Sequence, residues 1–285
     1  MAGTKKLGVV GLGAMGAGIA QLGLEARLDV VGREVGAARG DEAGDRIAHF
    51  LRRKVEKGLL AQDARDAALE RLALTTALED LADCDVVIEA AFEDLAVKQQ
   101  LFRDLETVLR EDAVLATNTS ALSVTELASV LARPERAVGM HFFNPAPLMP
   151  LVEIVRAERT ADGAFETAYT LGETLGKTPI RCADTPGFAV NRVLIPLLND
   201  CVRVLDETGV TPGDLDAGMK LGAGWPMGPC TLLDLVGLDV HVHASEALYE
   251  KLREPRMAPP PRLVRMTQAG KLGRKSGEGF YRYDT

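Results

Sequence analysis

The chain has 285 residues, 47% hydrophobic and 26% charged, with a formal net charge of −8. This is the balance of a soluble globular protein with room for one large domain or two ordinary ones, and the acidic surplus argues against nucleic acid as a partner. The four cysteines, at 84, 182, 201 and 230, form no Cys-x-x-Cys pair, which points away from a metal site and from a disulfide framework.

The first predicted element is an apolar strand over residues 7–10. It runs into Gly11-Leu12-Gly13-Ala14-Met15-Gly16, and a helix of small residues follows to about Glu25. A Gly-x-Gly-x-x-Gly turn between strand and helix is a dinucleotide-binding fingerprint. Gly11 permits the tight turn, Gly13 lets the backbone approach a pyrophosphate, and Gly16 lets the helix pack closely. Free amides and the dipole at the helix start favour the anion. The competing reading is an export or membrane segment, but five glycines between positions 8 and 18 make a poor apolar helix. A cytoplasmic protein with no membrane association is therefore expected. The second strand, 29–34, ends on Glu34, where such a fold places a carboxylate on the adenosine ribose hydroxyls. That acid favours NAD over NADP, although Arg33 beside it pulls the other way.

Residues 40–72 read as helical and charged. The basic cluster Arg52-Arg-Lys-Val-Glu-Lys57 is either a solvated helix face or a landing place for the phosphates of a large anionic substrate. Continuous apolar runs at 85–91, 113–120 and 137–143 read as buried parallel strands. Each carries polar residues at its carboxyl end: Glu93 and Lys98, then Asn118 and Ser120, then His141 and Asn144. Ligands bind outside the carboxyl ends of such strands. A further strand, 151–155, folds back on 137–143 if the hairpin is centred on Pro147. Facing residues then have numbers summing to 294, which seats His141 opposite Glu153. A carboxylate partner fixes the tautomer of a histidine and raises its basicity. A helix at 162–176 and a strand at 179–182 close the sheet. The βα alternation stops at Asp184-Thr-Pro-Gly187, giving domains 1–184 and 185–285. The second is helical: a long helix over 188–207, a helix capped by Thr211, one over 228–252, and one after Pro259-Pro-Pro261. Its apolar faces imply burial against another subunit.

Several motifs occur together and in order. They are the glycine turn, Val-Ile-Glu-Ala-Ala91, Asn118-Thr-Ser120, His141-Phe-Phe-Asn-Pro145, Pro186-Gly-Phe-x-x-Asn-Arg192, Pro226-Met-Gly-Pro229 and Gly273-Arg-Lys-Ser-Gly-x-Gly-Phe-Tyr281. In this the chain resembles the 3-hydroxyacyl-CoA dehydrogenases over nearly its whole length, and its compactness is that of the bacterial 3-hydroxybutyryl-CoA dehydrogenases. The resemblance implies an α/β fold with an N-terminal Rossmann-like NAD domain and a C-terminal all-helical domain that forms a homodimer. It implies reversible NAD-linked oxidation of an L-3-hydroxyacyl-CoA, with no metal. By that likeness His141 is the general base and Glu153 orients it. Ser120 and Asn191 hold the reacting oxygen and the thioester carbonyl, and Asn144 lines the site. Glu93, Lys98, Asn118, Ser120 and Lys275 match positions that touch the cofactor. The chain departs from the family at Ala121, Trp225 and Gly32, and none of these removes a catalytic role.

Two other readings compete. One is a related dehydrogenase acting on a hydroxyacyl group tethered to an acyl carrier protein, which the basic helix would dock. The other is a non-catalytic dinucleotide-binding protein, against which the intact His141, Glu153, Ser120 and Asn191 speak.

Overall fold

The computed structural model describes residues 4–284, in two compact units. The first ends at Thr185 and the second begins at Pro186.

The first unit runs β1 (Lys6–Val10), α1 (Ala14–Glu25), β2 (Asp29–Arg33), α2 (Ala37–Glu56), α3 (Gln62–Glu70), β3 (Leu72–Thr75), β4 (Val86–Glu89), α4 (Leu95–Val108) and β5 (Val114–Thr117). It continues with α5 (Val124–Ala128), β6 (Ala137–Phe142), β7 (Leu151–Arg156), α6 (Asp162–Thr174) and β8 (Thr178–Ala183). The strands form one sheet in the order β3-β2-β1-β4-β5-β6-β7-β8. Pairing is parallel throughout except between β6 and β7, which run antiparallel. The chain winds outward from β1 in both directions, so the topological switch lies between β1 and β4, where α/β sheets bind ligands. Alternate residues of each strand enter opposite core layers. Leu7 and Val9 face one layer and Val10 the other; Val86 and Ile88 face one and Val87 the other. With both faces covered, these strands read as unbroken apolar runs rather than alternating ones.

The 40–72 stretch is helical as expected, in two helices separated near Gly58, which takes φ +69°. Its end is the short strand β3, which pairs only with β2 and leaves Leu74 37% exposed. Four residues on a sheet edge carry too little periodicity to be read locally.

At the carboxyl ends of β4 and β5 lies a buried polar chain. Glu89 is fully buried; its Oε1 accepts from the Ala91 amide at 2.6 Å and the Lys98 ammonium at 2.7 Å, and its Oε2 accepts from the Thr117 hydroxyl at 2.7 Å. Lys98, 1% exposed, also reaches Glu93 at 3.2 Å. Glu93 in turn accepts from the Thr119 hydroxyl and from the amides of Ser120 and Ala121. Burial would raise the Glu93 pKa, but the Lys98 charge and the bonds from Thr119 and Ser120 outweigh it and hold the carboxyl below the usual range. The chain thus ties β4 to the loop that carries Ser120.

The second unit contains α7 (Val190–Thr208), α8 (Pro212–Gly222), α9 (Pro229–Val236), α10 (Leu238–Leu252) and α11 (Pro261–Gln268). The single helix expected over 228–252 is broken into α9 and α10 at Gly237, whose φ of +100° only glycine adopts freely. Two buried carboxylates organise this unit. Asp216 accepts from the Cys230 and Thr231 amides and the Tyr281 hydroxyl. Asp234 accepts from the Phe280 and Tyr281 amides and the Tyr283 hydroxyl. A third polar cluster holds α7 to α10. The Asn199 amide group donates to the carbonyls of Arg256, Met257 and Ala258, which turns its oxygen toward His241. His241 Nε2 lies 2.9 Å from that oxygen, so it carries the proton and donates it.

Two predictions follow from these buried groups. Replacing Lys98 by Met strands the Glu89 carboxylate in the interior, which costs about 3–5 kcal/mol. Urea unfolding should show a loss of that size, partly restored by adding Glu89→Gln; a loss below about 1 kcal/mol would mean that the pair carries no such burden. Burial also pushes the His241 pKa down from 6.5 to about 4. The unfolded chain therefore binds a proton that the folded chain refuses, so stability is whole above pH ~6.5 and falls as pH drops toward ~4, by about 3 kcal/mol. The melting temperature of wild type should fall across that window more steeply than that of His241→Gln, and parallel curves would remove His241 from acid sensitivity.

Candidate active site

The site begins at the glycine turn. Gly11 has φ +86°, and a Cβ there would lie 2.8 Å from the Ala90 carbonyl oxygen and the Ala91 amide. A Cβ on Gly16 would overlap the Gly11 carbonyl oxygen. Side chains are thus excluded at both positions by backbone. Gly13 differs: nothing lies within 4 Å of where its Cβ would stand, and as N-cap of α1 it supplies no side-chain cap. The start of α1 is thus a positive helix end with no side-chain cap, and space lies open beside Gly13. That is a fit for a pyrophosphate.

Glu34 follows β2 and turns toward the same turn. Its carboxylate accepts from the amides of Leu12 and Val35, each at 2.9 Å. Sequence reasoning missed the group opposite it. Arg46, on α2, donates from Nη2 to the Leu12 carbonyl at 2.9 Å. Both polar backbone groups of Leu12 are therefore held by side chains of opposite charge.

The polar ends of β5 and β6 lie next to each other, with β4 between them and this turn in the sheet order. Asn118 Oδ1 accepts from the Phe142 amide at 2.9 Å, which leaves its NH₂ group for a ligand. Ser120 is exposed on the loop held by Glu93. The Lys98 ammonium is enclosed by Glu89 at 2.7 Å and Glu93 at 3.2 Å. Glu89 itself was not singled out by sequence; its side-chain partners Lys98 and Thr117 are 9 and 28 residues away and gave no local signal.

β6 and β7 pair with His141 opposite Glu153, the register that the Pro147-centred hairpin predicts. His141 Nδ1 lies 2.6 Å from Glu153 Oε2. Glu153 is fully buried, and His141 is 6% exposed. The Phe143 ring leans on the imidazole, with centroids 4.7 Å apart. An ionised carboxylate only accepts, so Nδ1 carries the proton and Nε2 of the neutral ring keeps its lone pair. Asn144 is exposed just after β6, where the peptide bond to Pro145 is cis.

The remaining expected residues lie in the second unit. Asn191 is in the first turn of α7, half-buried. Lys275 is on the C-terminal segment that Asp234 organises, with its ammonium 2.6 Å from Asp239. Of the basic cluster on α2, Lys54 is taken by Glu25 at 2.6 Å, and Arg52 faces His49 and Glu56. That leaves Arg53 and Lys57 as its uncommitted cations among the described residues.

Comparison with known proteins bears on this arrangement along the whole chain. The family model described as "3-hydroxyacyl-CoA dehydrogenase, NAD binding domain" matches residues 6–185, and "3-hydroxyacyl-CoA dehydrogenase, C-terminal domain" matches 187–283. The chain is 44% identical over 278 residues to a probable 3-hydroxybutyryl-CoA dehydrogenase of Deinococcus radiodurans, covering 98% of this chain and all of that one. It is 42% identical over 281 residues to a 3-hydroxybutyryl-CoA dehydrogenase of Mycobacterium tuberculosis, covering 98% of each. Among solved structures, an (S)-3-hydroxybutyryl-CoA dehydrogenase from Ralstonia eutropha superposes with a TM-score of 0.95 at 39% identity, covering 99% of this chain and 100% of that one. Matched in both halves and alike from end to end, the chain belongs to the 3-hydroxyacyl-CoA dehydrogenase family, as an NAD-dependent enzyme whose first unit is that family's Rossmann domain.

Proposed function

We propose that the chain interconverts a short-chain L-3-hydroxyacyl-CoA, such as 3-hydroxybutyryl-CoA, and the 3-oxoacyl-CoA, with His141 as general base. The observation that carries this reading is the buried His141–Glu153 pair at 2.6 Å, at the strand ends where the sheet gathers its polar residues. The relatives' names support the substrate class. Bound NAD supplies the acceptor for the hydride that leaves the carbinol carbon. His141 Nε2 takes the hydroxyl proton, and the Glu153 carboxylate stabilises the imidazolium that results. The Ser120 hydroxyl donates to the reacting oxygen, and Asn191 holds the thioester carbonyl. Asn144 lines the same site. In the reverse direction the imidazolium returns the proton to the carbonyl oxygen. Glu34 takes the adenosine ribose hydroxyls, with Asn118, Glu93 and Lys275 completing the cofactor site. The chain acts as a homodimer through its helical unit, which leaves Val193 65%, Leu221 87% and Val240 51% exposed in the single chain. No helix among the described residues is long and apolar enough to cross a membrane.

The direct test is oxidation of NADH when acetoacetyl-CoA is added to the purified protein, with the acyl-carrier-protein thioester in parallel. Turnover with the CoA ester supports the reading, while turnover with the carrier thioester alone would move the substrate. His141→Ala should leave NADH binding nearly intact and lower turnover by roughly 10²–10⁴-fold, the usual worth of a positioned acid–base group. A variant that keeps most of its turnover would take His141 out of the mechanism.

A further inference from the structure

The Leu12 backbone is held from two sides, by a carboxylate at its amide and a guanidinium at its carbonyl. With each bond at 2.9 Å, and a residue's own N and O about 3 Å apart, the two charged groups are on the order of 9 Å apart at most. Arg33 adds a second cation, since it ends β2 immediately before Glu34 and its Nε donates to the Thr76 carbonyl at 3.1 Å. Several other arginines of this unit answer a carboxylate. Arg110 pairs with Asp85, Arg133 with Glu111, Arg156 with Asp162 and Arg181 with Glu166. Arg33 and Arg46 instead rest on carbonyl oxygens, with no ion pair among the described residues. A carbonyl anchors a guanidinium without neutralising it. Each arginine uses one of its five donors and keeps its full charge.

We propose that Arg46, with Arg33, makes the adenosine end of the cofactor site a latent 2′-phosphate site, closed only by the carboxylate of Glu34. The inference rests on reading the glycine turn and Glu34 as the place of the adenosine ribose. For a ribose hydroxyl, Glu34 is an acceptor and the arginines take no part. For a 2′-phosphate, the Glu34 charge repels and the two guanidiniums attract. Guanidinium is the side-chain group best matched to phosphate oxygens. Without the Glu34 charge, only the two guanidinium charges of this group remain to face a phosphate. NAD preference in this chain is therefore set by one carboxylate against a cationic background, with Arg46 as the opposing specificity-determining residue.

The test is fluorescence titration of NADH and NADPH into the full-length protein, for wild type, Glu34→Gln and Glu34→Gln/Arg46→Ala. Gln removes the charge and keeps one acceptor oxygen for the Leu12 amide, while its NH₂ replaces the oxygen that accepts from Val35. Wild type should favour NADH. Glu34→Gln should gain NADPH affinity by roughly tenfold or more, the worth of charge-assisted bonds to phosphate. The double variant should lose that gain. No gain in Glu34→Gln, or a gain that survives Arg46→Ala, overturns the proposal. Should Glu34→Gln fail to fold, Arg46→Ala in the wild-type background serves instead: it should weaken NADPH more than NADH, and equal weakening overturns the proposal. Wild type that binds neither nucleotide would sink the cofactor reading itself, an outcome distinct from NADH binding with no change in preference.

Discussion

The candidate chemistry depends on one reversal of strand direction. Six strands run parallel and leave their polar residues at one edge of the sheet. β7 then turns back on β6, and antiparallel pairing brings residues into direct opposition. The register places a carboxylate of β7 against the imidazole of β6, both inside the protein. A slip of β7 by one residue would turn Glu153 to the opposite face of the sheet, away from His141. The apolar neighbours prevent such a shift, because Met140, Phe142, Val152 and Ile154 all belong to one core layer. The core thereby fixes the geometry of the polar pair.

Two further devices act at the same edge. The glycine turn is shaped by backbone packing: Gly11 and Gly16 exist to let the β1–α1 connection lie against itself and against Ala90. Glu89 orients the amide of Ala91, next to that Ala90, and through Lys98 and Glu93 it fixes the loop bearing Ser120. One buried carboxylate thus helps to hold both the turn and the loop. A charge is tolerated there because every oxygen of Glu89 has a hydrogen-bond donor.

Much of the first unit was legible in the sequence, for a physical reason. Buried parallel strands must be continuously apolar, and their ligand-facing ends must be polar, so the change from one to the other marks both strand and site. The His141–Glu153 opposition was legible because a short hairpin leaves few registers. What escaped was non-local. Beyond the neighbouring Ala91 amide, Glu89, Arg46, Asp216 and Asp234 act through partners between 9 and 65 residues away, and no spacing rule reports such contacts. Lys98 was recognised as a site position, but its burial follows from a partner on β4 that only the fold brings close. β3 was too short to leave a pattern, and the break at Gly237 was hidden inside an apolar run with helical character on both sides.

The central claim is that His141 and Glu153 act as one unit. The most direct measurement is kcat for wild type, His141→Ala, Glu153→Gln and the double variant, with acetoacetyl-CoA and NADH. Residues that act as a unit give non-additive losses. Glu153→Gln should slow the wild-type enzyme substantially and should cost nothing further once His141 is gone. Losses that simply multiply in the double variant would contradict the account, because Glu153 would then contribute to turnover without acting through the imidazole.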